Sequence, residues 1–139
     1  MYLPARMCAI ITDTMTVDTI LIVEDEAELA KLYCHWLGQR YSVRVAHDTT
    51  EALRQFDSDV EIVLLDRTLP DGRGEDLIPA FRRRNSDVLI GLVTSQDPEP
   101  GVVEKSFDAY EVKPVREDDI LGFVEQLRQQ GQLYDSACD

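Results

Sequence analysis

Five short apolar runs rich in β-branched residues, alternating with amphipathic stretches, set the strongest limit on how this chain can fold. The runs cover residues 20–23, 42–46, 62–65, 88–93 and 109–112. Two of them, Ile62-Val63-Leu64-Leu65 and Val88-Leu89-Ile90-Gly91-Leu92-Val93, are apolar without alternation. That is the pattern of strands covered on both faces. Between the runs, Leu29, Tyr33, Trp36 and Leu37 fall on one helical face; so do Ala52, Leu53 and Phe56; Leu77, Ile78 and Phe81; and Ile120, Val124 and Leu127. Gly38 stands where a helix-terminating glycine belongs. A further helix over residues 99–105 is poorly supported, because Pro98, Pro100 and Gly101 crowd its start.

Alternation of strand and helix every 20–30 residues or so implies parallel βαβ units with right-handed crossovers. Five units predict an α/β fold, a doubly wound parallel sheet with helices on both faces. The 139 residues suit one such domain. It is expected over residues 17–131, with residues 1–16 an unstructured extension and 132–139 a tail or the start of a linker. Met7 and Met15 also allow an internal start.

Composition narrows the function. The net charge is −13, with only three lysines (Lys31, Lys105 and Lys113). So much acid disfavours direct contact with nucleic acid or an anionic membrane, whose phosphates it repels. It resembles the acidic, lysine-poor surfaces of extreme halophiles, which predicts a salt-loving source; an ordinary acidic cytosolic protein is the alternative. No apolar run reaches membrane-spanning length and the start lacks a signal-peptide core, so a cytoplasmic location is expected. Cys8, Cys34 and Cys138 have no paired spacing and predict no disulfide framework, and His35 and His47 read as ordinary residues rather than ligands.

In a doubly wound sheet, chemistry collects beyond the carboxyl ends of the strands. The first run ends in Glu24-Asp25-Glu26, the third in Asp66, the fourth in Thr94-Ser95 and the fifth in Lys113-Pro114. Parallel strands bring these together. Glu24, Asp25 and Asp66 repel one another unless a cation intervenes, and an oxygen-only set suits Mg²⁺. Lys113 adds a fixed positive charge. Such a group supports attack by an Asp66 carboxylate on phosphorus, with Thr94 and Lys113 meeting the phosphoryl oxygens. The bland reading is a solvated acidic rim, which four matching strand ends make hard to sustain.

Ile20-Leu21-Ile22-Val23-Glu24-Asp25-Glu26, Leu64-Leu65-Asp66 with Leu69-Pro70-Asp71-Gly72, Val93-Thr94, and Tyr110-Glu111-Val112-Lys113-Pro114 resemble the response-regulator receiver domains of two-component signalling. The resemblance spans about residues 19–130. It implies a flavodoxin-like sheet of strand order 2-1-3-4-5 and a phosphorylation-activated switch. By that resemblance Glu24 and Asp25 are the acidic pair, Asp66 the phosphoacceptor and the Thr68 carbonyl a third Mg²⁺ ligand. Thr94 is the switch hydroxyl, Tyr110 the aromatic that follows it, and Lys113 the phosphate-binding lysine before a proline that is often cis.

The implied partners are a sensor histidine kinase and an output domain or regulated protein on the face of the fourth and fifth helical segments, with a homodimer one assembly. The protein is then no enzyme in the ordinary sense: it catalyses its own phosphoryl transfer and slow dephosphorylation. Glu24 stands where Asp is commoner, and Thr68 and Gln96 flank the phosphate position. Only 18 residues separate Thr94 from Lys113, which shortens the fourth helical segment and resembles haloarchaeal HalX-type regulators. Two other functions compete. An aspartate-nucleophile phosphohydrolase needs a second acid where Thr68 stands, and a phosphorylation-independent interaction module would lack one of the residues present here. No GxGxxG or GKS/T loop follows the first run.

Overall fold

The structure, a computed structural model, describes residues 18–95 and 107–138. The elements in chain order are β1 (Thr19–Val23), α1 (Ala27–Leu37), β2 (Ser42–Ala46), α2 (Thr49–Gln55), β3 (Val60–Leu65), β4 (Thr68–Leu69), β5 (Gly72–Arg73), a 3₁₀ turn (Gly74–Leu77), α3 (Ile78–Arg84), β6 (Leu89–Thr94), β7 (Ala109–Val112) and α4 (Glu117–Cys138). Five strands form a parallel sheet in the order β2-β1-β3-β6-β7, which is the 2-1-3-4-5 order expected of its five members. The expected extension over 1–16, the helix over 99–105 and Gln96 lie outside the described residues. The last helix continues into the segment read as tail or linker.

The unalternating apolar runs have the predicted cause. Leu21, Val23, Val63, Leu65, Ile90 and Leu92 face α2 and α3, packing with Ala52, Ile78 and Phe81. Their chain neighbours Ile20, Ile22, Ile62, Leu64 and Val93 face α1 and α4, packing with Tyr33, Leu37, Ile120, Phe123 and Leu127. Each strand therefore serves two cores, and each buried Ile or Leu contributes on the order of 2 kcal/mol. Phe56 and Phe81 stack with centroids 4.5 Å apart in the first core. In the second, α4 lies so close to β6 that a Cβ on Gly91 would stand 2.6 Å from the Phe123 ring.

Helix ends are set locally. Asp48 caps α2 by accepting from the Glu51 N–H at 2.7 Å, while Glu51 accepts from the His47 N–H at 2.8 Å. Gly38 closes α1 as expected, in a right-handed rather than left-handed conformation, with its N–H bonded to the Cys34 carbonyl. Arg82 and Arg84, at the end of α3, reach across to the carbonyls of Val88 and Leu53. They tie α3 to the start of β6 and to α2. No helix among the described residues is long and apolar enough to cross a membrane.

Candidate functional site

Parallel register delivers Glu24, Asp66 and Thr94 to one edge. β1 pairs with β3 so that Val23 lies opposite Leu65, and β6 with β7 so that Thr94 lies opposite Val112. The next residues on β1, β3 and β7 are Glu24, Asp66 and Lys113. Glu24 is 1% exposed, Asp66 8% and Thr94 4%, while Asp25 is exposed at the rim. Oxygens of Glu24, Asp25 and Asp66 lie within 4.8 Å of one another. The Lys113 ammonium donates to Glu24 Oε1 at 2.8 Å and to Asp66 Oδ2 at 3.2 Å. Its peptide bond to Pro114 is cis, as the resemblance implied.

The electrostatics follow from burial and the Lys113 ammonium. Burial pushes the Glu24 carboxyl up to about 7; the Lys113 hydrogen bond opposes the rise and the Asp66 charge adds to it. Burial also works against the charge on Lys113, but Glu24 and Asp66 hold its ammonium above the usual range. Two buried acids on one ammonium leave the cluster net negative. An oxygen-only set with one member open to solvent fits a hard divalent cation that keeps part of its water shell. Bound at Glu24, Asp25 and Asp66, Mg²⁺ would offset the negative charge that a phosphoryl group brings.

The other expected residues are placed differently. Thr68 opens β4, and its N–H donates to Asp66 Oδ1 at 3.2 Å. Tyr110, on β7, is 44% exposed, with an edge contact to Phe107. It is not a core aromatic.

Sequence reasoning missed the device that carries the loop after Asp66. Residues 68–73 form a two-rung antiparallel hairpin. Its tip is tied to α2 through Asp71, which accepts from the Thr49 N–H at 2.9 Å and its hydroxyl at 2.8 Å. Those bonds hold the Asp71 carboxyl below the usual range. Its base is closed by the Gly74 N–H on the Arg67 carbonyl at 2.8 Å. Beyond the hairpin, buried Glu75 accepts from Arg67 at 3.2 Å and Arg73 at 2.7 Å. Burial works against its charge, but hydrogen bonds from the two guanidinium groups and from backbone N–H hold the carboxyl below the usual range. Arg67, Thr68, Arg73, Thr94 and Ser95 line a polar depression there. The Leu69-Pro70-Asp71-Gly72 run was a readable turn signal; nothing marked the Glu75 pairing.

Comparison with known proteins agrees with this geometry. Residues 20–125 match the response regulator receiver domain. A Haloferax volcanii protein assigned to transcriptional regulation is 39% identical over 109 residues, covering 78% of this chain and 19% of that one. The sensory transduction protein RegX3 of Mycolicibacterium smegmatis is 33% identical over 124 residues, covering 86% of this chain and 54% of its own. The chain thus spans from a fifth to about half the length of these two relatives. Among solved structures, a CheY-like receiver domain from Methanospirillum hungatei superposes with TM-score 0.77 at 23% identity, over 86% of this chain and 99% of that one. TrrA of Thermotoga maritima, in complex with Mg²⁺ and beryllofluoride, superposes with TM-score 0.71 at 27% identity, over 79% of this chain and 98% of its own.

Proposed function

The chain belongs to the response regulator receiver domain family, and on that premise we propose that Asp66 accepts a phosphoryl group from a partner histidine kinase in a Mg²⁺-dependent reaction. The observation that carries this reading is the Lys113 ammonium seated between Glu24 and Asp66 in a cluster of three converging carboxylates. Asp66 attacks phosphorus through a carboxylate oxygen. The O–P bond forms as the P–N bond to the donor imidazole breaks, and its electron pair returns to the ring nitrogen. Glu24, Asp25 and Asp66, with the Thr68 carbonyl, would hold Mg²⁺, which would supply positive charge to the phosphoryl oxygens. Lys113 shifts its hydrogen bonds toward the phosphoryl oxygens and neutralises their charge.

The readout is conformational. Thr94, at the end of β6, bonds the phosphoryl group, and Tyr110 moves inward from its exposed position into the space that shift leaves. The phosphoryl group biases two arrangements already accessible to the fold. What responds is an output domain or regulated protein on the β7–α4 side of the sheet. The acidic composition and the similarity to the Haloferax volcanii protein support a HalX-like relationship and a cytoplasmic, salt-rich setting.

Beryllofluoride with Mg²⁺, which mimics the phosphoryl group, tests the reading. Amide signals near Asp66, Thr94 and Tyr110 shift in the wild-type protein, and Asp66→Asn removes the shift. A wild-type spectrum that does not respond overturns the switch.

A further inference from the structure

Two buried side-chain oxygens among the described residues have no hydrogen-bond partner, Glu75 Oε1 and the Tyr33 hydroxyl. Glu75 is compensated, since its other oxygen receives two guanidinium groups. Tyr33 has no such compensation. It is 2% exposed, on the inner face of α1 with Ala30 and Leu37. A buried hydroxyl left without a partner is costly and rare enough to need a reason.

Its position supplies one. Long side chains on a helix lean toward the N-terminus, and the N-terminus of α1 is where Glu24, Asp25 and Glu26 lie. The ring sits in the same cluster as Val93 and Val115, which flank Thr94 and Pro114. Lys113, Glu24, Asp66 and Glu26 lie near enough for their charges to act on the hydroxyl. Burial pushes the phenol up to about 12, so it remains a neutral donor at ordinary pH. Both Glu24 oxygens are meanwhile served by others, Oε1 by Lys113 at 2.8 Å and Oε2 by the Glu26 N–H at 3.2 Å.

We propose that Tyr33 is a positioning residue for the phosphorylated state: when Lys113 turns from Glu24 to the phosphoryl group on Asp66, the Tyr33 hydroxyl donates to Glu24 in its place. This rests on the switch reading above. The hydroxyl is unpartnered in the resting arrangement and partnered in the phosphorylated one. A contact made in only one of two states draws population to that state. Tyr33 thus favours the active form without touching the phosphoryl group.

Tyr33→Phe removes the oxygen and keeps the ring. Without divalent cation its melting temperature equals or exceeds that of the wild type, since an unpartnered group is gone. Its affinity for beryllofluoride with Mg²⁺ falls about tenfold, the effect of one hydrogen bond to a charged group. In wild-type protein carrying ¹³Cζ-tyrosine, the Tyr33 resonance moves when beryllofluoride binds and stays fixed in Asp66→Asn. An affinity within about twofold of wild type, or a Tyr33 resonance that stays fixed while amides at Asp66 shift, overturns the role of Tyr33 alone. A wild-type protein silent to beryllofluoride overturns both readings.

Discussion

Among the described residues, Lys113 is the cation bonded to two buried acids at the head of the sheet, and its neighbours there were legible for a simple reason. Glu24, Asp66, Thr94 and Lys113 each end or follow an apolar run, so parallel strand direction predicts that they meet. Tyr33 and Glu75 were not legible as site residues, because what matters about them is which groups face them across the fold. The same holds for Glu61, on β3 near the opposite edge of the sheet. It stays partly in solvent, yet desolvation and the hydrogen bond and charge of Asp18 push it from 4.5 up to about 7, against the pull of Arg128. Native Glu61 therefore binds a proton that the unfolded chain has released between those two values. Its contribution to stability is complete below about 4.5 and is lost as pH rises through about 7. Urea midpoints should fall across that window, and less so in Glu61→Gln. Identical slopes for the two proteins would refute this assignment; Glu24 titrates in the same window, so only the difference between them isolates Glu61.

At the scale of elements, strand positions followed the apolar runs to within two residues, because strands buried on both faces have little freedom in composition. The β4–β5 hairpin escaped that logic. Its strands are two residues each, too short for any periodicity, and a turn motif was their sole trace. Its attachment to Asp66 is strict. A Cβ on Gly74 would stand 1.9 Å from the Asp66 carbonyl oxygen and 3.1 Å from the Leu65 side chain. Backbone cannot yield cheaply there, so Gly74→Ala must shift the 3₁₀ turn or the end of β3. We expect a loss of about 2–4 kcal/mol in unfolding free energy, together with weaker beryllofluoride binding. A variant that keeps full stability would show that the turn moves freely and that the hairpin is not fixed to β3.

Charge governs the molecule as a whole. The 27 acids outnumber the 14 basic side chains, and several of those, including Arg44, Arg82 and Arg128, are already paired with carboxylates. The remaining acid repels itself over distances that screening shortens from about 10 Å in 0.1 M salt to about 3 Å at 1 M. The melting temperature should therefore climb by several degrees between dilute buffer and molar potassium chloride; a flat profile would contradict the salt-loving reading. Fold class was legible at this scale because parallel alternation admits few arrangements; the sheet order was implied by the family resemblance alone. One packing detail has a practical use. Trp36 is the only tryptophan, and its ring lies 6.1 Å from that of Tyr33. Light absorbed by the tyrosine can pass to it, so the single indole emission is a natural optical gauge of α1. Any rearrangement at Tyr33 should register as a change of colour or brightness in unlabelled protein.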